Sequence, residues 1–80
     1  MPRLDILYVE DDAASAQAVT DLFDGQGDRV VWLAGGLDGL ARASAQRFDV
    51  IILDRTLPDL GGLEIAARLR ASGSTTPLFS

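Results

Sequence analysis

Three acidic residues follow directly after two short apolar runs in this sequence of 80 residues. The run at 4–9 leads into Glu10 and Asp11, and the run at 50–53 leads into Asp54. Carboxylates held close together repel each other, which raises their pKa values unless a cation compensates. Mg²⁺ prefers oxygen ligands, and beside a carboxylate it can neutralise the charge that develops during phosphoryl transfer. These residue types predict a metal-assisted acidic site, provided that the fold brings the two groups together.

The composition excludes several other kinds of chemistry. The chain contains no Cys and no His, which removes the usual zinc ligands and any thiol chemistry. Its formal net charge is −5 and its basic residues form no cluster, so we expect no direct binding to nucleic acid or to an anionic membrane. We recognise no secretory signal and no segment long enough to span a bilayer, and therefore expect a cytoplasmic location.

Short apolar runs indicate the strands that position the acidic residues. Runs at 4–9, 30–33 and 50–53, with a further one beginning at Pro77, are rich in β-branched and aromatic residues. Nearly continuous apolar runs are typical of parallel strands that are covered on both faces.

Amphipathic segments between these runs predict three helices, at about 13–23, 37–47 and 63–71, with Asp12 as the N-cap of the first. The order βαβαβα, followed by the start of a fourth strand, predicts a doubly wound α/β sheet. The residues expected to face the core are Ala14, Ala18, Val19, Leu22 and Phe23 in the first helix, Leu37, Leu40, Ala41 and Ser44 in the second, Ile65, Ala66 and Leu69 in the third, and Trp32 and Phe48 outside the helices.

The topology decides whether the carboxylates meet. Residues that follow two parallel strands emerge at the same edge of the sheet, and neighbouring strands lie about 4.8 Å apart. Ligands of open α/β sheets bind at this edge, where the strand order reverses. Glu10, Asp11 and Asp54 therefore meet if the first and third strands are neighbours. The alternative is that these acids only form turns and helix caps, which is the role expected of Asp12.

The segments ILYVEDD (6–12) and DVIILDRTLPDLGGLE (49–64) resemble the receiver domains of bacterial two-component response regulators. The first is similar to the acidic pair after the family's first strand, and the second to its phosphoacceptor strand and the turn that follows. The resemblance covers the whole chain and implies a flavodoxin-like doubly wound parallel sheet. It also implies a Mg²⁺-dependent phosphorylation switch, not an enzyme. Such a switch accepts its phosphoryl group from a sensor histidine kinase and controls an output domain, most often a transcription factor.

The resemblance implies a role for each matching residue. Asp54 is similar to the phosphoacceptor, Asp11 to the direct magnesium ligand, and Glu10 to its partner, which commonly acts through a metal-bound water. Thr56 stands where a backbone carbonyl completes the metal ligands, which are therefore Glu10, Asp11, Asp54 and Thr56. Arg55, beside the acceptor, is expected to be solvated.

Two further matching positions, Pro58 and Gly62, are expected to be structural, the first in the turn and the second for a backbone requirement. Family members have five βα units, so residues 1–80 correspond to a partial receiver domain. The family's sensing hydroxyl would fall just beyond Ser80, and its strand-five Lys is absent because the chain has no Lys. In such a partial domain the third strand lacks most of the neighbouring strand with which it would normally pair. The exposed edge of the sheet that results favours a homo-oligomer or a domain-swapped dimer.

Two alternatives remain open for the function. One is a receiver that is not phosphorylated and serves as an interaction scaffold. The other is a Mg²⁺-dependent phosphohydrolase with an aspartyl-phosphate intermediate, similar to the haloacid dehalogenases. Those enzymes carry a second Asp two residues after the nucleophile, where this chain has Thr56.

Overall fold

A computed structural model describes residues 3–54 and 57–80. The order of helices and strands predicted from the sequence is confirmed, and each boundary lies within two residues of its expected position. The elements are β1 (Asp5–Val9), α1 (Ala13–Gly25), β2 (Arg29–Leu33), α2 (Gly36–Ala45), β3 (Val50–Leu53), α3 (Gly62–Ala71) and β4 (Leu78–Phe79).

The four strands form one parallel sheet in the order β2-β1-β3-β4. The chain moves from β1 to β2 in one direction and then crosses to β3 on the other side of β1. Because βαβ crossovers are right-handed, this reversal places α1 on one face of the sheet and α2 on the other. The sheet is therefore doubly wound, and its strand order reverses between β1 and β3.

The main hydrophobic core lies on the side of the sheet that α2 and α3 cover. Ile65 and Leu69 of α3 are 0% and 1% exposed, and both belong to the same buried cluster as Leu7 and Val9 of β1. The other buried members of this cluster are Phe48, Ile51, Leu53 and Leu57. The predicted inner face of the third helix is thus confirmed, with Ala66 half-buried beside it.

The predicted inner face of α1 is largely wrong. Ala14 and Ala18 are exposed, and Leu22 is 61% exposed, whereas Ala16 is fully buried. Ala16, together with the half-buried Val19 and Phe23, follows the spacing i, i+3, i+7 of a single helical stripe. The predicted set combined residues from this stripe with residues from the opposite side of the helix.

The predicted inner face of α2 is also wrong, with only Leu40 half-buried as expected. Leu37 is 56% exposed, and Ala41 and Ser44 are exposed, because the helix packs through two buried glycines instead. A Cβ atom on Gly39 would lie only 2.6 Å from Cγ2 of Val9, so the backbone of α2 lies directly against β1.

The two aromatic residues expected in the core have different surroundings. Phe48 is 4% exposed and belongs to the core, as predicted. The prediction is wrong for Trp32, which is 37% exposed on β2, the edge strand beside β1. At this position the polar N–H of the indole can reach a hydrogen-bond acceptor.

Across residues 3–54 and 57–80, no helix combines the length and apolar character needed to cross a membrane.

Candidate metal and phosphoryl site

The fold brings together the acidic residues that follow two different strands. Val9 of β1 pairs with Leu53 of β3, so the residues that come next emerge side by side. One carboxylate oxygen from each of Glu10, Asp11 and Asp54 lies within 4.8 Å of the others. Thr56, the fourth predicted ligand, lies outside the residues that the structure describes, and so does Arg55.

Backbone hydrogen bonds hold this cluster against the sheet. The Asp54 N–H donates to the carbonyl oxygen of Val9 at 2.9 Å, and the Glu10 N–H donates to that of Leu33 at 3.1 Å. In addition, Nε1 of Trp32 donates to the carbonyl oxygen of Glu10 at 2.8 Å. The exit of β1 is therefore tied to both neighbouring strands, and sequence analysis missed the contribution of Trp32.

The surroundings of Glu10 disfavour the ionised form of its carboxyl group. Burial raises the pKa of Glu10, and the adjacent carboxylate of Asp54 raises it further, while the Asp12 N–H opposes this by donating to Oε2 of Glu10 at 3.1 Å. Burial also raises the pKa of the neighbouring Tyr8 hydroxyl, with added repulsion from Glu10 and Asp54. A cation would relieve this repulsion.

The donor atoms suit a hard divalent cation. Glu10, Asp11 and Asp54 offer carboxylate oxygens, which are the ligands that Mg²⁺ prefers, and none of them offers the nitrogen or sulfur that favours zinc. Glu10 and Asp54 are partly exposed and Asp11 is exposed, so solvent can reach the site. Water molecules, several of which Mg²⁺ usually keeps as ligands, can therefore complete its coordination. These three residues would hold the ion.

Asp12 has a different function from the acids that precede it. Its carboxylate accepts hydrogen bonds from the backbone N–H of Ser15 at 2.9 Å and from the Ser15 hydroxyl at 2.6 Å. These bonds lower the pKa of Asp12 and satisfy one of the free N–H groups at the start of α1. The prediction that Asp12 is the N-cap of the first helix is confirmed.

Residues 57–61, the described segment between β3 and α3, lead into a close contact between the start of α3 and Asp54. A Cβ atom on Gly62, the first residue of α3, would lie 2.8 Å from the carbonyl oxygen of Asp54, a distance that real Cβ atoms do not adopt. Glycine at this position thus lets α3 begin directly against the residue that follows β3. Pro58 is exposed in a bend of the same segment, and its role in fixing the turn stays a prediction.

Asp59 is a further acidic residue in this segment, and sequence analysis did not single it out. Its Oδ1 accepts a hydrogen bond from the Gly36 N–H at 2.8 Å, and its Oδ2 accepts one from the Leu37 N–H at 2.9 Å. These bonds hold the pKa of Asp59 below its usual range. The N-cap residue of α2 is Gly35, which has no side chain to do this itself. In the sequence, the absence of a capping side chain before the second helix was the signal that a distant residue caps it.

The strand order β2-β1-β3-β4 of this parallel sheet is that of the flavodoxin-like class predicted from the sequence, and the carboxylates lie where the order reverses. Residues 6–79 match the family model described as the response regulator receiver domain, and the chain belongs to this family.

The chain is also similar to individual family members. It is 38% identical to the transcriptional regulatory protein CiaR of Streptococcus pneumoniae over 74 residues, which cover 92% of this chain and 33% of CiaR. The receiver domain of the Francisella response regulator 1452 superimposes with a TM-score of 0.92 at 26% identity, covering 95% of this chain and 63% of that one.

A second solved structure bears on the metal. The receiver domain of the sensor histidine kinase PA1611 from Pseudomonas aeruginosa PAO1 has a magnesium ion coordinated in its active-site cleft. It superimposes with a TM-score of 0.89 at 30% identity, covering 96% of this chain and 65% of that one. The chain thus spans a third of CiaR and somewhat less than two thirds of these receiver structures.

Proposed function

We propose that residues 1–80 form part of a receiver domain in which Asp54 accepts a phosphoryl group from a sensor histidine kinase, with the help of Mg²⁺. The observation that supports this most strongly is the cluster of Glu10, Asp11 and Asp54, whose oxygens lie within 4.8 Å of one another where the strand order reverses. The chain acts as a cytoplasmic switch, not as an enzyme, because the kinase supplies part of the transfer chemistry. Its similarity to CiaR favours an output in transcriptional regulation.

The proposed reaction is a simple transfer. A carboxylate oxygen of Asp54 forms a bond to phosphorus, and the bond between phosphorus and the donor's leaving atom breaks. The leaving group departs with that electron pair and then takes a proton from solvent, and the product is an aspartyl phosphate. Mg²⁺ bound by Glu10, Asp11, Asp54 and the Thr56 carbonyl would neutralise charge on the phosphoryl oxygens.

The intact mass of the chain after incubation with acetyl phosphate and Mg²⁺ tests this function. We expect one added phosphoryl group, and none when a chelator removes the metal. No adduct under conditions in which Mg²⁺ binds would support the scaffold alternative. Rapid turnover of small phosphoesters would instead support the phosphohydrolase.

Stabilisation of the fold by Mg²⁺ is expected to decrease as the pH is lowered toward 4.5, the ordinary pKa of a Glu carboxyl. Because the pKa of Glu10 is raised above this value, protons already compete with the cation for this carboxylate at pH values above 4.5. A raised pKa also means that protonated Glu10 stabilises the metal-free fold below the ordinary value, and that this stabilisation is lost as the pH rises through the raised pKa. Mg²⁺ should therefore raise the thermal midpoint most at neutral pH.

Thermal unfolding with and without Mg²⁺, repeated across this pH range, measures the effect. Glu10→Gln should remove most of the pH dependence, since it removes the titrating group. Glu64→Gln is a suitable control because Glu64 is an exposed acid on α3 that does not belong to the cluster. An unchanged pH dependence in Glu10→Gln would contradict the assignment of the proton to Glu10.

Self-association is expected at the edge of the sheet that β4 forms. The edge strand β4 has two residues, and Phe79, which is 62% exposed, pairs with the half-buried Ile52. Partly exposed apolar residues on an edge strand favour pairing with a second copy, as a homo-oligomer or a domain-swapped dimer.

Size-exclusion chromatography with light scattering at several concentrations should detect a dimer or larger species. Phe79→Lys should shift the population toward monomer. Leu22→Lys is the matched control because Leu22 is 61% exposed but lies on α1. A wild-type chain that is monomeric at every concentration would rule out this association.

A further inference from the structure

We propose that Asp59 is a positioning residue for the phosphoacceptor. Its carboxylate ties residues 57–61, the described segment between β3 and α3, to the start of α2, and the reactivity of Asp54 depends on this tie. Asp59 does not belong to the carboxylate cluster, so it acts through residues 57–61 and through Gly62, which lies against the carbonyl oxygen of Asp54. The inference rests on the proposed function of Asp54.

The tie is a helix cap supplied by a distant segment. Gly36 and Leu37 carry two of the backbone N–H groups that have no partner within the helix, and Asp59 accepts from both at 2.8 and 2.9 Å. Its negative charge is also favourable at a helix N-terminus. The N-cap Gly35 makes no side-chain hydrogen bond, so this capping depends on where residues 57–61 lie.

Close backbone packing supports the same contact. A Cβ atom on Gly36 would lie only 2.3 Å from the carbonyl oxygen of Leu60. The start of α2 and residues 57–61 are therefore in direct backbone contact one residue away from the hydrogen bonds of Asp59. The two segments hold each other through both interactions.

The other contacts of this segment lead back to Asp54. Leu57 is 6% exposed in the core, and Gly62 lies against the carbonyl oxygen of Asp54. Without Asp59, residues 57–61 would keep these contacts but lose their hydrogen bonds to α2. Because group transfer is sensitive to displacements of about 1 Å, a small change where the chain leaves β3 is enough to slow the reaction at Asp54.

A second substitution can separate helix capping from positioning. Asp59→Ala removes both the cap and the tie. Adding Gly35→Ser supplies a local cap to α2 but leaves residues 57–61 untied. Gly35 has an extended backbone (φ −109°, ψ 144°), and a Cβ there would meet its nearest atom at 3.4 Å, an ordinary contact. The added side chain therefore fits.

The measurements are the initial rate of phosphorylation by saturating acetyl phosphate with Mg²⁺, the thermal midpoint, and the amide hydrogen exchange of Ile65, whose N–H donates to the carbonyl oxygen of Gly61 at 3.1 Å. Asp59→Ala should lower the thermal midpoint, and the double variant that adds Gly35→Ser should restore it. Asp59→Ala and the double variant should nevertheless react on the order of tenfold more slowly than the wild type and exchange faster at the Ile65 amide. Asp38→Ala, which changes an exposed acid in the first turn of α2, should match the wild-type rate.

Recovery of the wild-type rate in the double variant would show that Asp59 is only a helix cap and would overturn the inference. A wild-type rate in Asp59→Ala would overturn it too. If the wild type itself accepts no phosphoryl group, the proposed function fails, and the exchange data still decide whether the tie exists. Unchanged exchange at Ile65 in both variants would show that it does not.

Discussion

Replacing Asp54 with Asn is expected to abolish phosphorylation by acetyl phosphate while leaving the chain folded. The amide is close to the carboxylate in size but has no negatively charged oxygen to attack phosphorus. The substitution also removes one of three mutually repelling charges, so the pKa of Glu10 should move toward its ordinary value. Intact mass measures the first effect, and thermal unfolding across pH without metal measures the second.

Asp24→Asn provides the matched control for this prediction. It makes the same change of charge in an exposed acid near the end of α1, and it should be phosphorylated as the wild type is. An adduct of undiminished yield in Asp54→Asn would contradict the assignment of the phosphoacceptor. Peptide mapping would then show which other residue carries the group.

Replacing Gly36 with Ala is expected to destabilise the fold strongly. The new Cβ would lie 2.3 Å from the carbonyl oxygen of Leu60 and 3.1 Å from Oδ1 of Asp59. A backbone carbonyl cannot turn aside as a flexible side chain can, so either α2 or the facing segment must move. Overpacking of this kind costs about 1–3 kcal/mol, and the backbone clash places this site toward the upper end. That is a large part of the roughly 4–12 kcal/mol typical of a domain of this length.

Gly25→Ala is the control for this substitution. A Cβ atom at Gly25, the last residue of α1, would meet nothing within 4 Å, so the same change should be neutral or stabilise by about 0.4–1 kcal/mol. Denaturant unfolding of the two variants and the wild type measures the difference. If Gly36→Ala unfolds at the same denaturant concentration as the wild type, the backbones of α2 and residues 57–61 are not in close contact.

The strands and the meeting of the carboxylates could be predicted from the sequence because both depend on simple regularities. Continuous apolar runs identify buried parallel strands, and once β1 and β3 are neighbours the residues after them share one edge. The inner faces of α1 and α2 could not be predicted in the same way. In α1, small apolar residues occur on both sides of the helix, as Ala14 and Ala16 show. In α2, the two fully buried residues are Gly36 and Gly39, which give no hydrophobic signal.

The two contacts that sequence analysis missed are both tertiary. Trp32 reaches Glu10 across 22 residues, and Asp59 reaches Gly36 across 23. Periodicity describes neighbours within one helix or strand and carries no information about such pairs. Both contacts satisfy polar groups that their own elements leave free, which is the physical reason that they form.

The hydrogen bond from Trp32 to the Glu10 carbonyl has a practical consequence, because Trp32 is the only tryptophan in the sequence. All indole fluorescence of the unmodified chain therefore comes from one ring that is bonded to a residue of the carboxylate cluster. Emission from an indole responds to charge and hydrogen bonding at its N–H group. Titrations with a cation or a phosphodonor can thus be followed optically at the site itself, with no attached dye and no signal from a second tryptophan.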